Sequence, residues 1–508
     1  MAVIYTYSLS VAFSSNLNSS QLHNEIVASS ITTTLNHVEV NGDDVDIEFI
    51  SALSTSDQTA LGVLVTTHSP LTNTPGDTFD CIVDASGNGD YLKPSAAFAD
   101  GHVSVFMRNG VYVETTDVII PNYGSLVGES GPNTIIYFPG IAKSVIVDGS
   151  GGRQETTGVI SISVNTNNVV GVGTTFTNLT ANDYILLGTD YFKIASITDD
   201  TNLVLSDIYR GASHNSIKYI AQPMFTGVRL NNFIISGSTT TGLYIRGNRH
   251  FNADSIALNK NTPNILIENT GDSSFKHILS ETCLGAGMTL NNCVSIALNV
   301  VDVYNNTSHG ICIGGNSTSI NLISCETSNN GGDGINMSQV CSDINLTDCV
   351  IKYNNGNGIV SNSTTQSVMI DSTSIRGNTS TGLSIDGLYH TITGNIIDKN
   401  GSDGLYLTAS YCTITGNIIN GNTISIKSTG DGCIISSNQC INSSVDGIYV
   451  SGNNCILTSN MSTGNAQYGI NIDTGVIDTV VSLNNCINNI GTNIIDNGTT
   501  TTLINNKS

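Results

Sequence analysis

Over the second half of the chain, a small or turn-forming residue followed by an aliphatic one returns at a nearly constant interval. The pairs run Gly242-Leu243, Asn264-Ile265, Gly287-Met288, Gly310-Ile311, Gly334-Ile335, Gly358-Ile359, Gly382-Leu383 and Gly404-Leu405, then Thr423-Ile424, Gly447-Ile448, Gly469-Ile470 and Asn493-Ile494. The successive spacings are 22, 23, 23, 24, 24, 24, 22, 19, 24, 22 and 24 residues. A fixed period of this length identifies stacked supersecondary units, each of which buries its apolar face only against its neighbours.

Within each unit a short alternating strand such as GLYIRG, GICIGG or GIYVSG precedes a second one such as DINLTDCVI or CTITGNIID. Alternation with period two sends Leu, Ile and Val to one side, which is the inside of a coil. The glycine before the aliphatic is expected to supply a backbone conformation that other residues resist. Coils that hydrogen-bond to one another rise about 4.8 Å each, so twelve landmarks imply a rod of roughly 50 Å. Asn395, Asn417, Asn438, Asn460 and Asn484 recur in register, and their amides are expected to bond from coil to coil. Thr373, Cys349 and Cys325 occupy the same slot in earlier coils. The fold class is therefore all-β, a right-handed parallel β-helix.

Gly110, Tyr112, Glu114, Gly128, Glu129 and Ile135 lie in the stretch Asp84–Phe138, which runs from a Gly-rich turn to a "G-x-Y-x-E" strand and a "G-E-x…T-I-I" coil. This stretch resembles the opening of pectin-lyase-like β-helices, pectinesterases included. The resemblance implies the N-terminal cap of that fold and begins the rod near residue 76. From about 153 to 222 the repeat is interrupted by alternating strands with turn signals at Thr166-Asn168, Gly188-Thr189 and Asp199-Asp200. The phrases "G-x-G-T-x-F" and "Y-x-I-x-S-I" in that run resemble small β modules of phage tail proteins, which implies an inserted, β-barrel-like module. Before the rod, VDIEFISAL leads into Ser54-Thr55-Ser56-Asp57, an N-cap with an acidic first turn, and a helix carrying Leu61, Leu64 and Val65 on one face to about His68. That segment resembles parts of structural proteins of large tailed phages and other large DNA viruses. The expected organisation is a small N-terminal α/β docking domain (1–75), a β-helix cap with first coils (76–152), the inserted module (153–222) and the regular coils (223–508), with TNTPGDT as a linker.

The bulk composition narrows the partners. A net charge of −23 repels nucleic acid and anionic membranes. No apolar run is long enough to span a bilayer, and the opening MAVIYTYSLSVAF lacks the basic start of a secretion signal. The 12 cysteines show no CxxC or zinc spacing and read as free core thiols, as expected of a chain folded in a reducing compartment.

Charge is concentrated in one part of the rod. Residues 242–281 hold eight Asp, Glu, Lys or Arg in 40 positions, against 19 in the 226 positions of 283–508. Aligning Gly242 with Asn264 stacks Arg246 on Glu268, His250 on Asp272 and Asp254 on Lys276. One reading is a set of surface ladder ion pairs, each worth about 0–1 kcal/mol. The other is an outer-face acid/base patch with Glu268, Asp272 and Asp254 as catalytic carboxylates and Arg246, His250, Lys276 and Tyr244 as substrate-binding residues. Tyr244 and Tyr406 follow the landmark aliphatic and are expected to face outward, where a sugar ring can stack.

Asp333, Asp403, Asp431 and Asp446 each precede glycine and read as turn residues. Asp84, Ser86, Asn88 and Asp90 mimic the start of a calcium loop, but Ser95 stands where its bidentate acid belongs, and no metal or cofactor is expected. The catalytic set of pectinesterases has no counterpart in this sequence.

The resemblance of the N-terminal segment and the insert to viral structural modules implies one of two functions. One is a virion attachment protein of the tailspike or fibre kind, docked to other virion proteins through residues 1–75, presenting its rod to a host-surface polysaccharide and assembled in the host cytoplasm. The other is a polysaccharide depolymerase, hydrolase or lyase, on the same scaffold. Both imply a homotrimer, because spikes of this shape commonly pack three rods in parallel.

Overall fold

The computed structural model describes residues 2–8, 22, 26, 29–41, 44–67, 79–188 and 190–507. The TNTPGDT linker, the boundary between residues 75 and 76, Thr189 of the second turn signal and His68 lie outside the described residues. The chain divides into two compact units, Met1–Arg108 and Asn109–Ser508.

In the first unit, strands Val3–Ser8 and Leu35–Asn41 flank Asp44–Phe49 in an antiparallel sheet. The helix Thr55–Thr67 follows. Ser54 caps it, its Oγ accepting the Asp57 amide at 3.1 Å. Leu61 and Val65 bury one helix face against Val45, Ile47 and Phe49. The same unit holds the parallel strands Cys81–Val83 and Ser104–Met107 and the short helix Pro94–Ala99.

The second unit is a right-handed parallel β-helix. A typical coil has three strands, such as Leu383–Ile385, Thr391–Thr393 and Ile396–Asp398. The first strands stack into a 14-stranded sheet from Val118–Ile119 to Ile494–Asp496. Thirteen coil spacings of about 4.8 Å make that sheet about 60 Å long. Inside the coils the alternation packs Ile, Leu and Val, for example Leu383, Ile385, Ile392 and Ile397, all buried. A corner residue in the left-handed region separates the second strand from the third: Val300, Ser324, Asp348, Ser372, then Gly394 and Gly416. Each corner amide still donates to the next coil, as Ser324 does to Thr347 at 3.0 Å.

The landmark glycines are not there for their torsion angles, because Gly310, Gly334, Gly358 and Gly382 do not have positive φ. They are there for space. A Cβ on Gly310 would lie 2.5 Å from the Gly334 carbonyl oxygen, and one on Gly358 would lie 2.5 Å from that of Gly382. The weak landmark at Thr423 also shifts. Leu405 pairs with Ile426, so the slot belongs to the buried Ser425, and the irregular spacing of 19 disappears.

The asparagine ladder forms as read. Asn395, Asn417, Asn438 and Asn460 each donate Nδ2 to the Oδ1 of the next coil, at 2.9 to 3.0 Å, and Asn484 extends the series to Asn506. A second ladder at the corner after the third strand was not legible in advance. It runs through Asn306, Asn330, Asn354, Asn378, Asn400 and Asn422 with bonds of 2.9 to 3.2 Å. All twelve cysteines are free, and only Cys312 is not fully buried.

Between the first-sheet strand Val145–Asp148 and the short strand Phe225–Thr226 the chain leaves the rod. It builds a seven-stranded antiparallel sheet around its own core of Ile160, Phe176, Ile185, Ile194, Leu203 and Leu205. The turn expected at Thr166 falls earlier, at Val164 and Asn165, and Thr166 begins a strand. Tyr191 and Met224 pack this sheet against Val294 of the rod.

Candidate functional site

The residues of the expected acid/base patch are spread around the coil. Register aligns Arg246 with Glu268 and Asp254 with Lys276. Glu268 lies on the outer face of the first sheet, where it accepts the Tyr244 hydroxyl at 2.9 Å. Burial and this hydrogen bond push the Tyr244 phenol up to about 12. Arg246, beside them, reaches Gln154 at 3.4 Å, in the chain leading to the inserted sheet.

Asp272 sits beyond the corner at Asn269 and is paired not with His250 but with Arg249. His250 and Asp272 are equivalent left-handed corner residues on successive coils, and His250 is exposed while the Asp272 carboxylate is taken by Arg249. The inserted sheet covers this pair, with the Arg249 guanidinium 5.3 Å from the Tyr184 ring. Asp254 lies further round, hydrogen-bonded to His277 at 2.9 Å, and Lys276 is exposed beside it. Burial works against the Asp254 carboxylate, but bonds from His277 and Ser255 hold it below the usual range. Glu268, Asp272 and Asp254 therefore do not form one constellation. Charge density along the chain had merged faces that the corners separate.

A different pair of carboxylates does come together. On the outer face of the third strands, Ile234, Ala257, Leu279, Asp302 and Glu326 follow one another in register on five successive coils. Ile234, Ala257 and Leu279, with Pro132, Ser255 and His277, line a hollow of about 390 Å³. The column then continues into two stacked carboxylates. Burial, and then the charge of Glu326, raise the Asp302 carboxyl above its ordinary value, with Lys352 opposing. Glu326 is fixed by Lys352 at 3.0 Å and by the Ser328 hydroxyl at 2.9 Å. Two residues along the same face, Tyr304 is raised by burial and by its bond to Glu281. The result is one carboxyl raised above its ordinary value next to an ion-paired carboxylate, one coil beyond Leu279 of the apolar hollow, with His277 in the hollow's wall. The sequence signal was present: Asp302 and Glu326 are 24 residues apart, one repeat.

The carboxylates before glycine serve the turns. Asp333 accepts the Asn357 amide at 2.8 Å and Asp446 the Tyr468 amide at 3.1 Å, each tying its coil to the next. Burial opposes the Asp333 charge, yet His309, Asn336 and Asn357 bring its carboxyl down to about 2. Asp84 is occupied within its own turn by the Ser86 amide and hydroxyl. Tyr406 faces outward as expected, with the Lys427 ammonium 4.9 Å from its ring centre.

The chain is similar to several solved structures at low identity. Among solved structures, the tailspike gp61 of Pseudomonas phage phi297 is 13% identical at a TM-score of 0.44, covering 76% of this chain and 74% of its own. The gp54 tailspike of Acinetobacter baumannii bacteriophage AP22, solved with a capsular saccharide, is 11% identical at 0.44, covering 81% and 74%. The A-module of the Azotobacter vinelandii mannuronan C-5 epimerase AlgE6 is 13% identical at 0.40, covering 82% and 93%. No curated protein matches the chain. The β-helix assignment stands on the strand pairing itself, and residues 362–508 match the family model described as a right handed beta helix region.

Proposed function

We propose that this protein is an attachment protein of the tailspike or fibre kind that binds a host-surface polysaccharide on the outer face of its β-helix and hydrolyses it at Asp302 and Glu326. The observation that carries the reading is the pair of stacked carboxylates at the end of the apolar hollow, one raised by burial and the other ion-paired. Glycosidic hydrolysis needs two carboxyl groups in different protonation states. The viral setting rests on the resemblance of the N-terminal segment and of the insert to viral structural modules. A homotrimer docked through residues 1–75 belongs to the same reading.

In the reaction, Asp302 donates its proton to the glycosidic oxygen as the bond to the anomeric carbon breaks. Glu326 attacks that carbon and forms a glycosyl ester. Water then displaces the ester, giving up a proton to the Asp302 carboxylate, and Glu326 leaves as the free carboxylate. Stacking at one coil spacing is closer to the ~5–5.5 Å of retaining enzymes than to the ~6.5–9.5 Å of inverting ones. His277, held by Asp254, positions the chain at the rim of the hollow, while Glu268, Asp272, Arg246 and His250 lie off this site.

Purified protein is expected to lower the viscosity of its polysaccharide and release reducing ends with retained anomeric configuration. Asp302→Asn and Glu326→Gln are each expected to cost about 10²–10⁴-fold in rate. Because the acid must be protonated and burial raises it, activity extends to higher pH than an ordinary aspartic acid allows, and the basic limb of the pH–rate profile moves in Asp302→Glu. Undiminished cleavage in both carboxylate variants, or none in the wild type, removes the hydrolase and leaves a binding surface alone.

A further inference from the structure

Two adjoining hollows of about 350 and 260 Å³ follow the seam between the inserted sheet and the rod, sharing Gly188 and Asn316 in their walls. On the rod side the wall is periodic. Asn292, Asn316, Val340 and Thr364 are the same turn on four successive coils, 24 residues apart. Beside them, Thr318, Ser342 and Gln366 align in parallel register. Three coil spacings make this wall about 14 Å long, parallel to the rod axis.

The wall chemistry is specific. On the rod, apart from Val340 and Cys341, it consists of amides and hydroxyls, groups that both donate and accept. Among the described residues, the side-chain amides of Asn316 and Gln366 have no hydrogen-bond partner. Leu186, Ile217 and Ile220 of the insert supply apolar surface to the smaller hollow, which Asn292 and Asn316 line from the rod, and Gln366 lines the larger hollow that continues from it. The one charged wall residue, Lys218, is turned to the Gly158 carbonyl at 3.2 Å. Concave sites of this size, with apolar walls and a few convergent polar groups, are ligand sites. Uncharged amides and hydroxyls recognise hydroxyl groups, and a slot elongated along a repeating wall fits a linear polymer better than a compact molecule.

We propose that this seam is a second, non-hydrolytic binding cleft for an uncharged polysaccharide chain. Its hydroxyls bond to the amides of Asn316 and Gln366, and its apolar ring faces lie on Leu186 and Ile217. The inference rests on the glycan-binding reading above but uses none of its residues. The inserted sheet becomes a clamp that holds the polymer while Asp302 and Glu326, on another face of the coils, act elsewhere on it.

The test is binding of full-length protein to immobilised dextran, linear β-glucan, mannan and galactan, with polygalacturonate and alginate as charged counterparts. Asp302→Asn, which binds without cutting, serves as the reference. Val340→Trp and Gln366→Trp replace exposed residues and fill the cleft, while Leu279→Trp fills the hollow beside the carboxylates. The expected result is retention of at least one neutral glycan, weakened tenfold or more by either cleft variant at unchanged melting temperature. Hydrogen exchange should slow at Tyr184–Leu187 and His214–Ile217 when that glycan is added, which decides the matter if a tryptophan variant does not fold. Undiminished binding in the cleft variants with loss in Leu279→Trp overturns the cleft and leaves the glycan reading standing. Retention of charged glycans only overturns the cleft, and retention of no glycan overturns both.

Discussion

Leu483 and Val300 stand in left-handed backbone at φ of 58 and 54 degrees, a region that aliphatic residues seldom occupy. Such a conformation costs an L-residue about 1–2 kcal/mol, and asparagine tolerates it better because its short side chain bonds locally. Leu483 is exposed, so nothing in the core holds it there. Leu483→Asn is expected to stabilise the protein by about 0.5–1 kcal/mol, read as a higher denaturant midpoint; a lower midpoint would show that the leucine makes contacts worth more than the strain. The corners were not legible in the sequence because Ser, Asp, Val, Leu and Gly all occupy them, so their common property is a torsion angle rather than a residue type. The carboxylates show a related limit. Counting charge along 242–281 averaged over three faces of each coil, whereas Asp302 and Glu326 needed only the 24-residue interval to be placed in one column. Tyr244 and Tyr406 were placed outward correctly, because alternation in a strand next to a known landmark leaves only two choices.

At the scale of the element, a coil is held by what repeats at its turns. Asn438 donates to Asn460 and to the Ile414 carbonyl while accepting the amide and side chain of Asn417. Asn438→Ala leaves several buried polar groups without partners and is expected to cost about 2–4 kcal/mol. Equilibrium unfolding checks this, and a loss below ~1 kcal/mol would mean that the ladder is not cooperative. Asn438→Asp should also destabilise at neutral pH, since a carboxylate accepts from Asn417 but has no N–H for Asn460. This ladder was legible because one residue type recurs at one interval. The second, through Asn330 and Asn354, lies in text so rich in Asn and Gly that its register is hidden until the coils are stacked. The landmark glycines had the opposite history: their positions were correct but their reason was not. Neighbouring coils leave no room for a Cβ there, a constraint that arises only when two coils meet.

At the scale of the whole chain, each unit is explained by different physics. Met1–Arg108 holds a small sheet and a helix around one cluster, with a sequence of mixed pattern that announced its elements but not their pairing. Asn109–Ser508 is a one-dimensional stack in which a coil touches mainly the coils before and after it. The insert adds a separate core to that stack and closes a cleft beside it. Among the described residues, no group of three or more His, Cys, Asp and Glu is placed to hold a metal.

Asn395 and Asn417 hold equivalent places, as do Ile396 and Ile418. Removing residues 396–417 therefore joins Asn395 to Ile418 with every strand, corner and ladder amide still facing its proper successor. Such a deletion is expected to give a folded protein with the same circular-dichroism spectrum, shorter by one coil, about 4.8 Å. Removing eleven residues instead should abolish folding, and equal tolerance of both would show that register is not what holds the rod. The repeated amide thus acts as a ruler with fixed graduations: the length of the rod is a quantity that selection can lengthen or shorten one notch at a time without redesigning any notch.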